Sequence, residues 1–150
     1  HKFKVKCSDV IQGIPAKAQR AIVNRHQAAG GEERDLADVM LAVLSDPGWI
    51  DDTGFARYLK KPLTDLAHTY IAEEKDSRGR PLNPVAGFHL GNGARVAHSH
   101  INFAANTSPR GLEESCGLMV NYVYSQKALG PIGRAVRSLL PWGRQGRLPG

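Results

Sequence analysis

The sequence has few cysteines and few aromatic residues, and it contains no long apolar run. The two cysteines, Cys7 and Cys116, lie far apart and show no metal-binding spacing, so we predict reduced thiols in a cytoplasmic protein. No apolar stretch approaches the roughly 20 residues that a membrane-spanning helix needs, and we therefore expect no membrane partner. The length of 150 residues suits a single domain.

The common short catalytic and nucleotide-binding motifs are missing as well. The sequence contains no Gly-x-Ser-x-Gly elbow, no P-loop and no paired-cysteine zinc motif. The stretch GNGARV supplies two glycines of a dinucleotide-binding loop, but it lacks the third, and no apolar strand leads directly into it. These motifs therefore predict no nucleotide cofactor.

The charge of the chain is positive but unevenly distributed. The formal net charge is +6, and residues 32–76 hold 11 of the 14 acidic residues but only 5 of the 20 Lys and Arg. Few aromatic residues alternate with the basic ones to stack on bases, which makes nucleic acid an unlikely partner. The phosphate groups of a small ligand, or solubility alone, explain the charge equally well.

Hydrophobic periodicity predicts several helices in the first half of the chain. The alternation in KFKVKC, residues 2–7, predicts a half-buried strand. Helices are predicted from Pro15 to the glycine pair at 30–31, over about 32–44, and over 53–75 with a break before Pro62.

The second half of the sequence predicts an extended segment followed by a helix. GARVAHSHINF, residues 93–103, is predicted to be extended after an Asn-Gly turn. A helix is predicted to follow, with Ser108 as its cap and Pro109 at its first position. We predict one helix-rich domain of α/β or α+β class over residues 1–126, and a basic, partly disordered tail over 127–150.

One histidine has an unusual setting. In NPVAGFHLGNGA, residues 83–94, His89 lies between an apolar run and a glycine-rich turn. Such a turn can hold the ring rigidly toward a cleft, with Asn92 and the turn amides in reach of a substrate oxygen. Imidazole titrates near neutral pH, which suits a proton donor or acceptor. A buried histidine with a satisfied hydrogen bond is the alternative.

The other histidines offer less chemistry. His98 and His100 are two apart on a predicted strand and would share one face, as two metal ligands must. No third ligand is evident nearby, so solvent-facing or helix-packing imidazoles are the favoured interpretation. His1, His26 and His68 are predicted to be structural.

Two stretches together resemble the C-terminal signature of the malonyl-CoA decarboxylase family. They are PLNPVAGFHLGNGARV, residues 81–96, and INFAANTSPRGLEESCGLMVNYVY, residues 101–124. DPGW and KKPLTDLAHTYIAEEK, upstream of them, are similar to the connecting helix of the family. The similarity covers about half of the chain, roughly from Asp46 to Tyr124.

This resemblance implies a partial acyltransferase-like (GNAT-like) domain that binds coenzyme A. It implies release of carbon dioxide from malonyl-CoA without a metal or organic cofactor, with His89 working beside a serine as proton donor or relay. Malonyl-CoA or another acyl-CoA is the expected ligand. Tyr124 falls at the position of an active-site tyrosine of the family and would position the malonyl group or His89. Alternatively, Tyr124 only closes off the helix that begins at Pro109.

The sequence departs from the family pattern at three places. Where the family has its serine, CSDVIQGIPAKAQ places Gln12, and Ser8 lies four residues earlier. Either Ser8 serves on a rearranged loop or the serine is missing. The segment RVAHSHIN is two residues longer than usual, and the glycine-rich loop for the CoA pyrophosphate is absent.

Two interpretations of function follow from the sequence. The first is a malonyl-CoA decarboxylase, with this chain as its final catalytic portion. The second is a non-catalytic relative that binds an acyl-CoA or a partner subunit. Apolar faces on the middle helices predict a homo-oligomer in either case.

Overall fold

Four helices pack together to form the core of the domain, and a ribbon of two antiparallel strand pairs, one nested inside the other, follows them in the sequence. The computed structural model describes residues 5–125. Its helices are α1 (Val5–Gln12), α2 (Ala16–Ala28), α3 (Leu36–Ser45), α4 (Thr53–His68), α5 (Pro84–Gly91) and α6 (Pro109–Ser115). Its strands are β1 (Ala94–Arg95), β2 (Ile101–Asn102), β3 (Met119–Val120) and β4 (Val123–Tyr124). The mixed helix and strand class predicted from the sequence is confirmed, and helices dominate it.

The core lies where α1, α2, α3 and α4 meet. Ile22 and Leu59 are completely buried there, and Trp49 is 1% exposed on the 3-10 turn Pro47–Ile50. Trp49 also faces the ring of Phe103, with a centroid distance of 6.1 Å. This aromatic pair attaches the end of the β2 segment to the helical core.

Several predicted boundaries of the helices are confirmed, with small shifts. Helix α2 begins after Pro15, and Gly30 adopts a φ of +80° just past its end. Helix α3 begins at Leu36 rather than near Glu32, because the carboxylate of Asp35 accepts a hydrogen bond from the Asp38 amide at 2.9 Å and caps the first turn.

The strand predicted over residues 2–7 is wrong from Val5 onward, where helix α1 begins. Cys7, Ile11 and Ile14 are all buried, and their spacing of four and three residues matches one helical face. The alternation of lysines is too short to distinguish the two-residue period of a strand from the 3.6-residue period of a helix. Burial of this apolar face favours the helix. Residues 2–4 and the predicted tail lie outside the described residues.

The break predicted before Pro62 is also wrong. Helix α4 continues through Pro62 to His68, and the π-helical turn Thr69–Glu73 follows it. A proline inside a helix removes one backbone hydrogen bond and costs about 3 kcal/mol or more. Burial of Leu59, Leu63 and Leu66 along the same helix offsets that cost.

The extended segment predicted over residues 93–103 forms only in part. Strands β1 and β2 are present, but a 3-10 turn, His98–His100, separates them. The turn closes through the His100 amide, which donates to the Ala97 carbonyl at 2.9 Å. The Ala97 amide in turn donates to Nδ1 of His100 at 3.1 Å.

The strands pair in a nested order. β1 pairs antiparallel with β4, and β2 pairs antiparallel with β3. The segment that contains α6 connects β2 to β3, the two strands of the inner pair. The predicted start of α6 is confirmed: Ser108 accepts a hydrogen bond from the Gly111 amide at 3.1 Å, and Pro109 is the first helical residue. The ribbon therefore brings residues near position 124 back to position 94.

No helix within residues 5–125 is long and apolar enough to cross a membrane.

We expect Leu59→Ala to lower the free energy of unfolding by about 2–5 kcal/mol, because it leaves a cavity in the core. Leu41→Ala is the matched control, since Leu41 is 44% exposed, and its effect should stay within about 0.5 kcal/mol. Urea unfolding followed by circular dichroism measures both. Equal losses in the two variants would contradict this assignment of the core.

Candidate active site

The candidate site is built on helix α5, which presents His89 in its last turn. Asn83 caps the helix by accepting a hydrogen bond from the Ala86 amide at 3.0 Å, and Pro84 fixes the first turn. Ala86 is completely buried and anchors the helix. The sequence therefore fixes both the start of α5 and the face that packs inward.

A tight turn ends α5 directly after His89. The Asn92 side chain donates from Nδ2 to the Phe88 carbonyl at 2.7 Å. The Gly93 amide donates to the Leu90 carbonyl at 3.1 Å, and Gly93 has a φ of +86°. This left-handed conformation favours glycine, which has no Cβ to clash. The turn then leads straight into β1.

Strand pairing brings the tyrosine to the histidine. Ala94 pairs with Tyr124, and Arg95 pairs with Val123. His89 and Ala94 are five residues apart, so the position of Tyr124 relative to His89 is set by one turn and one pair of strands. Two residues far apart in the sequence are thus placed side by side.

The His89 ring touches the hydroxyl of Tyr124. Nδ1 of His89 and the Tyr124 hydroxyl oxygen are 2.7 Å apart, a hydrogen bond between partly buried side chains. The two ring centroids are 6.1 Å apart at an interplanar angle of 62°. Nε2 lies on the opposite edge of the imidazole and is not engaged by Tyr124. The sequence-predicted pair His89 and Tyr124 is thus brought together.

A second tyrosine, which the sequence prediction did not select, lies on the ring face. Tyr122 stacks on His89 with centroids 4.2 Å apart and planes 15° apart. The signal for it was present in NYVY, because side chains two apart on a strand point to the same side. Burial raises the pKa of the Tyr122 phenol, which keeps it neutral at working pH.

The rim beside His89 is apolar and open. Phe88 meets the imidazole edge-on, with a centroid distance of 5.3 Å, and is 67% exposed. Val85, one turn earlier on the same helix, is 57% exposed. An imidazole at such a rim can exchange a proton with a ligand that has an apolar arm.

The side chain of Asn92 forms a hydrogen bond with the backbone. Its amide group is used to hold the Phe88 carbonyl at the end of α5. Asn92 therefore fixes the turn after His89, whereas its predicted role in binding substrate stays a prediction.

Ser8 and Gln12 lie on another part of the fold. Both are exposed on α1, and Gln12 Nε2 donates to Ser8 Oγ at 3.4 Å. Helix α1 packs on α3, α4 and the π-helical turn, whereas α5 packs on β1. The passage consists of helix α1, a turn at residues 13–15 and helix α2, and not of the strand and helix expected from the sequence. Within residues 5–125, no recorded hydrogen bond joins Ser8 to His89.

His98 and His100 do not form the shared strand face that two metal ligands need, because both lie in the 3-10 turn. The His98 ring stacks on His68 of α4 with centroids 3.9 Å apart and planes 17° apart. This geometry fits the favoured interpretation of helix-packing imidazoles. In the part of the chain that the structure describes, no three His, Cys, Asp or Glu side chains are grouped to hold a metal ion.

The fold is a helix-rich mixed domain whose candidate site pairs a histidine with a tyrosine. Comparison with known proteins gives the family. The chain belongs to the family described as malonyl-CoA decarboxylase C-terminal domain, whose model matches residues 10–132.

Individual relatives agree with this assignment. The chain is 41% identical over 92 residues to the mitochondrial malonyl-CoA decarboxylase of Anser anser anser, covering 61% of this chain and 18% of the relative. It is 46% identical over 89 residues to the mitochondrial malonyl-CoA decarboxylase of Rattus norvegicus, covering 59% of this chain and 18% of the relative. The chain thus spans less than a fifth of these curated relatives.

A solved structure is similar as well. The crystal structure of malonyl-CoA decarboxylase from Rhodopseudomonas palustris matches with a TM-score of 0.55 and 36% identity. The match covers 80% of this chain and 27% of the solved chain.

We expect Asn92→Ala to loosen the last turn of α5, because it removes the side-chain hydrogen bond to the Phe88 carbonyl. A lost hydrogen bond of this kind is worth about 0.5–1.5 kcal/mol, so amide exchange at Asn92 and Gly93 should accelerate roughly 2- to 10-fold. Asn24→Ala, an exposed position on α2, is the control. Unchanged exchange in Asn92→Ala would show that this side chain does not hold the turn.

Proposed function

We propose that this chain carries the proton-transfer site of a malonyl-CoA decarboxylase, which converts malonyl-CoA to acetyl-CoA and carbon dioxide. His89 is the proton donor or relay. The observation that carries the proposal is the 2.7 Å contact between His89 Nδ1 and the Tyr124 hydroxyl, in a chain whose relatives are named malonyl-CoA decarboxylases. Malonyl-CoA, or another acyl-CoA, is the proposed ligand.

The reaction needs a proton at carbon. When the bond between the carboxylate and the α-carbon breaks, carbon dioxide leaves and the electron pair stays on the α-carbon. The pair delocalises onto the thioester oxygen as an enolate, which hydrogen-bond donors at that oxygen stabilise. A proton from Nε2 of the charged His89 ring then forms the new C–H bond of acetyl-CoA, which leaves the ring neutral with its remaining proton on Nδ1, and solvent reprotonates Nε2.

Tyr124 determines which nitrogen carries that proton. In the charged ring, Nδ1 donates to the Tyr124 oxygen, and the Nε2 proton lies on the edge that Tyr124 does not occupy. After the Nε2 proton has left, the neutral ring keeps its proton on Nδ1 and still donates to Tyr124. The contact is therefore kept in both states, and only the Nε2 proton is delivered. In this scheme Asn92 acts by holding the turn, whose amides at Asn92 and Gly93 donate to backbone carbonyls of α5 and not to a substrate.

The role of the family serine is not assigned to Ser8. Its recorded partner is Gln12 on an exposed face of α1. Since the chain spans 18% of its relatives, a second functional group can come from outside these residues. In the proposed mechanism, this chain therefore only positions the imidazole and transfers the proton.

The alternative is a non-catalytic module of this family that binds an acyl-CoA or a partner subunit. Gln12, at the position where the family has serine, favours it. The exposed side chains of Leu41, Val85 and Phe88 fit a subunit contact and thus a homo-oligomer under either proposal. The location stays a proposal too: reduced thiols fit the cytoplasm, but the relatives are named mitochondrial.

The decisive experiment measures release of carbon dioxide from malonyl-CoA. We expect His89→Ala to lower kcat by about 10²-fold, as for loss of a positioned acid or base. His26→Ala is the matched control, because the His26 ring contacts the Glu32 carbonyl on another part of the fold, and it should retain the wild-type rate. Equal rates for His89→Ala and wild type would remove His89 from the reaction. A wild-type chain that binds acetyl-CoA without turnover would favour the non-catalytic module.

A further inference from the structure

The strongest feature outside the proposed proton path is the tyrosine stacked on the histidine. We infer that Tyr122 is a positioning residue for His89, holding the imidazole plane so that Nε2 points at the reacting carbon. This inference rests on the proposed decarboxylation for its chemical meaning. Its structural basis is the parallel stack itself, 4.2 Å between centroids and 15° between planes.

Stacking supplies a restraint that the hydrogen bond lacks. The contact with Tyr124 fixes where Nδ1 lies, but a single bond of 2.7 Å still allows the ring to tilt about it. Tyr122 covers one face of the ring, while Phe88 meets it edge-on at 5.3 Å. Together these contacts restrict tilting and leave the Nε2 edge free to face a ligand. Such restraint matters because small misplacements of a reacting group cost large factors in rate.

The backbone holds Tyr122 on both sides. On one side, the Asn121 amide donates to the His100 carbonyl at 2.9 Å. On the other side, Val123 pairs with Arg95 in the outer strand pair. The Tyr122 ring is half-buried between these two attachments. Its position is therefore determined by the ribbon and does not depend on contact with His89.

Tyr122 does not itself take part in the proton transfer. Burial raises the pKa of the Tyr122 phenol, so Tyr122 stays neutral and does not compete as a proton source. Among the recorded contacts of the His89 ring, the titratable partners are Tyr122 and Tyr124, both near β4, while α5 contributes Phe88.

The test compares Tyr122→Leu, which removes the aromatic face, with Tyr122→Phe, which keeps it. We expect Tyr122→Leu to lower kcat about 10-fold with KM changed less than about 2-fold, because positioning acts on the chemical step. The carbon-bound protons of the His89 ring should move downfield in the NMR spectrum, since they lose the ring-current shielding of the stacked tyrosine. Tyr122→Phe should restore both kcat and the NMR signal of the His89 ring to their wild-type values. Tyr70→Leu controls for the loss of a half-buried tyrosine elsewhere in the fold.

The NMR readouts need no turnover, so this inference can be judged even if the proposed function fails. A wild-type chain that does not release carbon dioxide overturns the decarboxylation, while the chemical shifts of the His89 ring protons still test the stack. Unmoved shifts of these protons in Tyr122→Leu would overturn the inference. If Tyr122→Leu does not fold, the wild-type protein decides: the stack predicts upfield ring-current shifts of the His89 carbon-bound protons, and their absence would overturn the inference.

Discussion

The hydrogen bond between His89 and Tyr124 is the interaction on which the proposed chemistry depends. It joins the end of a helix to the last strand of the ribbon, and its two residues are 35 positions apart in the sequence. Each end of the contact is held by backbone: His89 by the turn that Gly93 completes, and Tyr124 by its pairing with Ala94. The geometry of the site is therefore a property of the fold and not of one flexible side chain.

The rest of the domain supports this contact. The helices around Ile22, Leu59 and Trp49 form the core, and the Trp49–Phe103 pair ties the inner strands to it. The stack of His98 on His68 fixes the 3-10 turn between β1 and β2 against α4. Because both ends of the ribbon are attached to one core, the outer strand pair can hold Tyr124 at a constant distance from His89.

Local signals in the sequence predicted the site better than they predicted the irregular segments. Ser108-Pro109 marked the start of α6, and the glycine turn marked the end of the helix that presents His89, since caps and left-handed turns depend on neighbouring residues alone. The helix at residue 5 and the continuity through Pro62 depend on burial against distant elements, which periodicity does not report. Tyr122 was missed for a similar reason: its role arises from strand pairing that brings residue 122 onto residue 89.

The central claim is that Tyr124 accepts a hydrogen bond from Nδ1 of His89, so that Nε2 is the nitrogen that gives up and regains the mobile proton. Nitrogen-15 NMR of the imidazole, recorded at a pH where the ring is neutral, tests this most directly. We expect a protonated, hydrogen-bonded Nδ1 and an unprotonated Nε2 in the wild type, and a mixture of tautomers in Tyr124→Phe. A neutral wild-type ring with its proton on Nε2 would contradict the claim, because Nδ1 would then not donate to Tyr124.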